Sequence, residues 1–144
     1  MSVFQETSES AFERIEIRGL VAASASEVFG AFVDADRITA WWPDEAVVDP
    51  VVGGAYELRW PAMEWTLRGT FTEVDPNRTL AFTWSWDHEP DTPQRTVRIT
   101  LTSAEGGTEL TLTHGEYTDA DAEERRGHVD GWQYFLGRLA ELFD

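Results

Sequence analysis

The chain has 144 residues and contains neither cysteine nor lysine, and its 11 arginines stand against 27 acidic residues, for a formal net charge of −16. The lack of cysteine excludes disulfides, thiolate nucleophiles and cysteine-based zinc sites, and the lack of lysine excludes Schiff-base catalysis. A chain this acidic is predicted to repel nucleic acid and anionic lipid, so neither is an expected partner.

The length is typical of one domain, and we expect a single domain over residues 1–144 with a core from about 12 to 143. No apolar run approaches the roughly 20 residues that span a bilayer, so membrane insertion is not expected. The chain begins MSVFQETSES, which is polar and acidic. This start is unlike a secretory signal and favours a cytoplasmic protein.

The first predicted elements are a strand and two helices. Alternating apolar and charged residues predict a strand from Phe12 to Gly19. Ser24, with Glu27 three residues later, predicts a capped helix start. A second short helix is predicted from Asp36 to Trp41, because Pro43 disfavours helical conformation in the residue before it.

A run of strands follows, each with apolar residues at every second position. The predicted strands cover 55–60, 65–71, 80–86, 97–101 and 110–114. Gly69 predicts a bulge in the second of these, and Gly106-Gly107 predicts the hairpin turn before the last.

The last predicted element is a long helix that begins near Asp119 or Asp121 and has one strongly apolar face. Gly127, Gly131 and Gly137 lie inside it, and each costs about 1 kcal/mol relative to alanine. That cost suggests close packing at these positions, or a bend. The order of elements predicts a two-layer α+β domain, in which this helix covers one face of an antiparallel sheet.

Several segments, taken in order, resemble the family named for activators of the heat-shock chaperone ATPase. The matching segments are Ala25–Phe29, Trp41–Pro43, Gly53–Leu58, Gly69–Val74, Leu80–Trp84, Gly106–Leu112, and Gly131-Trp132 with Leu136 and Leu139. The resemblance covers nearly the whole chain, and the ordered set is specific although no single motif is. This family is part of the SRPBCC, or START-like, superfamily, which also contains the birch-pollen allergen.

The resemblance implies an α+β helix-grip fold: a curved antiparallel sheet of about seven strands wrapped around a long C-terminal helix, with two short helices after the first strand. It also implies a cavity between sheet and helix. Superfamily members include lipid and hormone carriers, polyketide cyclases and drug-sequestering resistance proteins, so the fold leaves function open. The family's namesake is a two-domain co-chaperone, and 144 residues leave no room for its additional N-terminal domain. We therefore do not expect its activity to transfer.

Tryptophan usage gives the main functional indication, because the chain has seven of these residues. An ordinary core position is the simpler interpretation of any single tryptophan, and also of the histidine that ends the last strand. Their clustering, however, favours a pocket that holds a small, mostly apolar or aromatic molecule. The residues expected to line or gate this pocket are Trp41, Trp42, Trp60, Trp65, Trp84, Trp86, His114, Trp132 and Phe135.

The other titratable residues do not predict a catalytic or metal site. His88, in a strand-end loop, and His128, on the polar side of the last helix, are expected to be solvated. Glu124 and His128 have the i, i+4 spacing of a metal pair, but no third ligand is evident. We therefore expect neither a metal nor another cofactor, and no catalytic residues are assigned.

Two other functions remain open from the sequence. One is a polyketide cyclase-like or hydrolase-like enzyme that uses the same cavity, with His114 pointing inward beside polar partners. The other is a protein-interaction module that regulates a chaperone ATPase and presents an exposed apolar patch on the convex side of the sheet. The threonine, arginine and glutamate positions there argue against such a patch. A monomer or a homodimer is expected.

Overall fold

The computed structural model describes residues 4–8 and 13–144. Its strands are β1 (Gln5–Glu6), β2 (Ile15–Val21), β3 (Glu45–Val48), β4 (Ala55–Trp60), β5 (Trp65–Asp75), β6 (Thr79–Trp86), β7 (Arg95–Ala104) and β8 (Gly107–Gly115). Its helices are α1 (Ala25–Val33), α2 (Ala35–Ile38) and α3 (Ala122–Glu141), with short 3-10 turns at Pro61–Met63 and Asp119–Asp121. No helix within the described ranges is long and apolar enough to cross a membrane.

The eight strands form one antiparallel sheet in the order β1-β2-β8-β7-β6-β5-β4-β3. Strands β3 to β8 follow one another along the chain as neighbours, and β2 closes onto β8 rather than onto β3. This confirms the predicted α+β class, with an antiparallel sheet and a long C-terminal helix.

The core lies between α3 and the strands at the β2–β8 side of the sheet. Leu136 and Leu139 of α3 are fully buried, as are Ile17 of β2 and Leu112 of β8, which are paired across the two strands. Burial of each such side chain contributes about 1.5–3 kcal/mol, so this contact fixes the helix against the sheet.

The two edge strands were missing from the sequence prediction. Strands β1 and β3 have two and four residues, and neither contains a fully buried residue that would produce a clear alternation. The first predicted strand is displaced, since β2 runs from Ile15 to Val21. Its predicted start at Phe12, like part of the polar N-terminal segment, lies outside the described residues.

The predicted helix start at Ser24 is confirmed. The side chain of Ser24 accepts a hydrogen bond from the backbone N–H of Glu27 over 3.2 Å and so caps α1. The second helix is shorter than predicted, because α2 ends at Ile38. The backbone N–H of Trp42 still bonds the carbonyl of Ile38, which folds the following turn back onto the helix.

The prediction of a bulge at Gly69 is wrong. Gly69 pairs in register with Tyr56, and the shift in the β5–β6 pairing lies between Phe71 and Glu73. Glycine is needed at position 69 for space, because a Cβ there would overlap the carbonyl oxygen of Thr83 and the ring of Tyr56. The hydroxyl of Tyr56 crosses this position to donate to that same carbonyl over 2.7 Å.

The expectation of close packing at the glycines of α3 is also wrong. A Cβ built at Gly127, Gly131 or Gly137 would meet no atom within 4 Å. These residues therefore leave space beside the helix instead of admitting a neighbouring chain segment.

Candidate functional site

A cavity of about 650 Å³ lies between α3 and the ends of β4, β5 and β6. Seven of the nine residues predicted from the sequence line it: Trp42, Trp60, Trp65, Trp84, Trp86, Trp132 and Phe135. The remaining lining residues are Met63, His88, Glu89, Ala120, Asp121, Glu123, Glu124, Gly127, His128 and Gly131.

The sheet contributes four tryptophans to the cavity wall. Trp60 ends β4 and is paired with Trp65, which begins β5. Trp84 and Trp86 are two residues apart on β6, so their side chains lie on the same face of the sheet. The alternation that predicts these strands therefore also places the aromatic wall.

Trp42 lies at the centre of the aromatic contacts. Its ring centroid is 4.9 Å from that of Trp132, 6.0 Å from Trp84 in a stacked arrangement, and 6.3 Å from Trp60. Each aromatic pair of this kind contributes about 0.5–1.5 kcal/mol beyond its buried area. The segment after α2 is thereby held against both the sheet and α3.

The open side of the cavity is partly exposed to solvent. Trp65 is 39% exposed, and its ring stacks on that of His88 at a centroid distance of 5.0 Å. Met63 and the carboxylate-bearing residues Glu89 and Glu123 are also exposed. We call the lining residues that are exposed or partly exposed to solvent the rim of the cavity.

The helix forms the opposite wall, and two of its lining residues have no side chain. Gly127 and Gly131 are one turn apart on α3 and line the cavity together with His128 and Trp132. A side chain at either position would extend into open space, so the glycines contribute to the cavity volume.

Trp41 does not line the cavity. Its ring is fully buried behind that of Trp42, stacked at a centroid distance of 5.5 Å, and its indole N–H donates to the carbonyl of Ala31 over 2.9 Å. Adjacent residues point in different directions, so only one of the two tryptophans faces the cavity. Trp41 connects this wall to α1.

His114 does not line the cavity either, and lies behind Trp84 and Trp132. Its Nδ1 accepts a hydrogen bond from the indole N–H of Trp132 over 2.9 Å. Burial, aided by the charges of His128 and Arg95, lowers the pKa of His114 well below its ordinary value. The neutral ring therefore carries its proton on Nε2, an atom that is buried without a hydrogen-bond partner among the described residues.

His128 is not solvated, contrary to the expectation from the sequence. It lines the cavity, bonds the hydroxyl of Tyr117 through Nδ1 over 2.6 Å, and stacks on His114 at 4.7 Å. Burial lowers the pKa of His128 to about 4, although nearby Glu124 opposes this shift. The signal for its location was its position four residues before Trp132, on the same face of α3.

Arg95 anchors the start of α3, and sequence reasoning did not find it. Its guanidinium is 4% exposed and binds both oxygens of Glu124, the closer at 2.7 Å, and lies 3.4 Å from Asp121. It also lies over the ring of Tyr117 at 4.6 Å. The hydrogen bond to Glu124 raises the pKa of Arg95, so the guanidinium stays charged. No sequence pattern connects β7 with α3 in this way.

Asp121 closes the turn that leads into α3. Its carboxylate accepts from the backbone N–H and the hydroxyl of Thr118, over 2.9 Å and 3.0 Å. These bonds, the backbone one first, lower the pKa of Asp121. Within residues 4–8 and 13–144, no group of three or more His, Asp or Glu side chains is arranged to hold a metal ion.

Comparison with known proteins agrees with this architecture. A family model described as activator of Hsp90 ATPase homolog 1-like protein matches residues 22–144. The activator of 90 kDa heat shock protein ATPase homolog 1 of Mus musculus is 25% identical over 131 residues, which are 90% of this chain and 37% of that protein. The chain thus spans about a third of the length of the curated relatives it matches.

Two solved structures show the same fold. A protein of Mesorhizobium loti superposes with a TM-score of 0.82 at 21% identity, covering 90% of this chain and 95% of that one. The solution structure of the Aha1 dimer from Colwellia psychrerythraea gives a TM-score of 0.74 at 21% identity, again over 90% and 95% of the two chains. These similarities place the sheet and helix in a common helix-grip arrangement.

Proposed function

The chain belongs to the activator of Hsp90 ATPase homolog 1-like family, and from this premise we propose that it binds a small, mostly apolar or aromatic molecule in the cavity between sheet and α3. One observation carries the proposal: six tryptophans and a phenylalanine surround about 650 Å³ of unfilled space. Pockets for small molecules typically have volumes of about 300–1,000 Å³ and mostly apolar walls.

The lack of side chains at Gly127 and Gly131 supports a pocket over an ordinary core. If the tryptophans served only to fill the core, alanine at each of these helix positions would increase the stability of the fold by about 1 kcal/mol. Larger apolar residues there would fill the space and gain buried area as well. The chain instead keeps glycine at two positions that face the cavity.

The environment of the histidines favours binding over acid–base catalysis. Burial lowers the pKa of His128 to about 4, which makes it a weak base at neutral pH, and its Nδ1 is engaged by Tyr117. His114 holds Trp132 from behind the wall and does not contact the cavity. An enzyme that used His114 would require it to line the cavity.

The activity in the name of the mouse relative is not part of this proposal. The outward side of the sheet carries crossed ion pairs, in which Arg68 bridges Glu57 and Asp87, and Arg98 pairs with Glu73. A hydrated, charged face of this kind is a poor apolar docking surface.

The test compares Gly131→Leu with Gly137→Leu. Both substitutions improve helix propensity at sites with open space, but only position 131 lines the cavity. Thermal shift and tryptophan fluorescence are measured against a panel of flat aromatics, fatty acids and polyketides. We expect one ligand class to stabilise the wild type and Gly137→Leu but not Gly131→Leu. If no class stabilises the wild type, or if Gly131→Leu binds as the wild type does, the proposal is wrong.

A further inference from the structure

The polar residues around the cavity carry one sign of charge. Four carboxylates line it, those of Glu89, Asp121, Glu123 and Glu124. No arginine lines it within the described part of the chain, and the sequence contains no lysine. We call these four side chains the rim carboxylates.

One guanidinium partly compensates this charge. Arg95 lies behind the wall and pairs with Glu124 and Asp121. Glu89 and Glu123 are exposed and are in no ion pair with the described residues. His128, the buried one of the two imidazoles that line the cavity, is neutral at pH 7 because burial lowers its pKa to about 4. The cavity opening is therefore negative at neutral pH.

The aromatic wall, like the carboxylates, favours a positively charged ligand. A tryptophan ring carries negative charge density on its face and attracts a cation held near it. Trp60, Trp65 and Trp86 form a chain of ring contacts at 5.5 and 5.7 Å next to exposed Glu89 and His88. A positive group at the opening would therefore interact with both the rings and the carboxylates.

From these observations we propose that the ligand is a flat aromatic compound that carries a basic amine or other cationic group, with the rings in the tryptophan cavity and the cation at the rim carboxylates. This inference rests on the proposed function and adds the charge class of the ligand. The same carboxylates should weaken the binding of anionic molecules of the same size, fatty acids among them.

The test uses three probes with the same ring system and different charge: naphthylmethylamine, naphthylmethanol and naphthoate. Binding is measured by isothermal titration calorimetry at neutral pH, at low and at high salt. One carboxylate about 4 Å away in water changes affinity about fivefold, so we expect the amine to bind at least about tenfold tighter than naphthoate. High salt should narrow this gap, because the rim is exposed.

Charge-neutral variants locate the effect. The double variant Glu89→Gln, Glu123→Gln should bind the amine several-fold more weakly than the wild type and naphthoate more tightly. Its affinity for naphthylmethanol should be unchanged. Glu105→Gln, at the exposed β7–β8 turn, is the control variant and should leave the affinities for all three probes unchanged.

The outcomes separate the two proposals. Equal binding of the amine and naphthoate, or an unchanged preference in the double variant, would overturn the cationic ligand class while the pocket itself stands. Failure of all three probes to bind would overturn both.

Discussion

The indole N–H of Trp132 points at Nδ1 of His114 across 2.9 Å, and both side chains are almost completely buried. A residue of the cavity wall is therefore oriented by a residue that the cavity does not touch. His114→Leu removes the acceptor and leaves the indole N–H unpaired, which should cost about 1–3 kcal/mol in the free energy of unfolding. Urea denaturation measures this loss.

The matched variant for this bond is His114→Asn, whose amide oxygen can take the place of Nδ1. It should retain more of the stability than His114→Leu does, even though leucine is the more apolar replacement. A leucine variant as stable as the wild type would show that the bond has no structural importance.

A second prediction concerns acid stability. The folded-state pKa of His128 is about 4, below its ordinary 6.5, so between these values the unfolded chain binds more protons than the folded one. The stabilisation is complete above about pH 6.5 and is lost as the pH falls towards 4. A shift of this size corresponds to roughly 3 kcal/mol. His114, whose pKa burial also lowers, acts in the same direction.

The measurement is the free energy of unfolding of wild type and His128→Gln from pH 7 to pH 4. Both proteins contain the same carboxylates, so the difference between the two curves isolates the histidine. It should shrink steadily as the pH falls, and a constant difference would contradict the proposed titration.

Arg95 provides a third prediction. Arg95→Met leaves the partly buried Glu124 and Asp121 without their cation and should cost roughly 2–4 kcal/mol, below the value for a fully buried pair because both carboxylates retain some water. Arg98→Met, at an exposed pair with Glu73, should cost under about 1 kcal/mol. Adding Glu124→Gln to Arg95→Met should recover part of the loss, and chemical denaturation of the set tests all three statements.

The fourth prediction contrasts two glycines. Gly69→Ala forces a Cβ into the carbonyl of Thr83, a backbone atom that cannot move without breaking the β5–β6 pairing, and should cost roughly 2 kcal/mol or more. Gly127→Ala adds the same methyl group where nothing lies within 4 Å and should stabilise α3 by about 1 kcal/mol. Melting temperatures that move in the same direction for both variants would refute the steric account.

The sequence predicts those features that depend on local periodicity. Alternation along β6 places Trp84 and Trp86 on one face, and the spacing of apolar residues along α3 places Trp132 against the sheet. The capped start at Ser24 likewise depends only on residues within one turn. Edge strands β1 and β3 escaped prediction because they are short and have no face that is clearly buried.

Contacts between distant elements were not predictable in the same way. The bond from Tyr117 to His128 and the pairing of Arg95 with Glu124 depend on how the loop after β8 and the start of α3 meet β7. No residue spacing in the sequence indicates that these segments pack against each other. The placement of Trp41 is different, because two consecutive residues rarely line one wall, and only Trp42 does so.

Gly127 and Gly131 lie one turn apart on the cavity side of a single helix. Substitutions at one or both of these positions can therefore change the volume and shape of the cavity without any change in the residues of the sheet. Methyl, isopropyl or larger groups introduced there would leave progressively less space in the cavity while making the helix more stable. If the cavity binds ligands as proposed, substitutions at these two positions would narrow the range of ligands without a loss of fold stability.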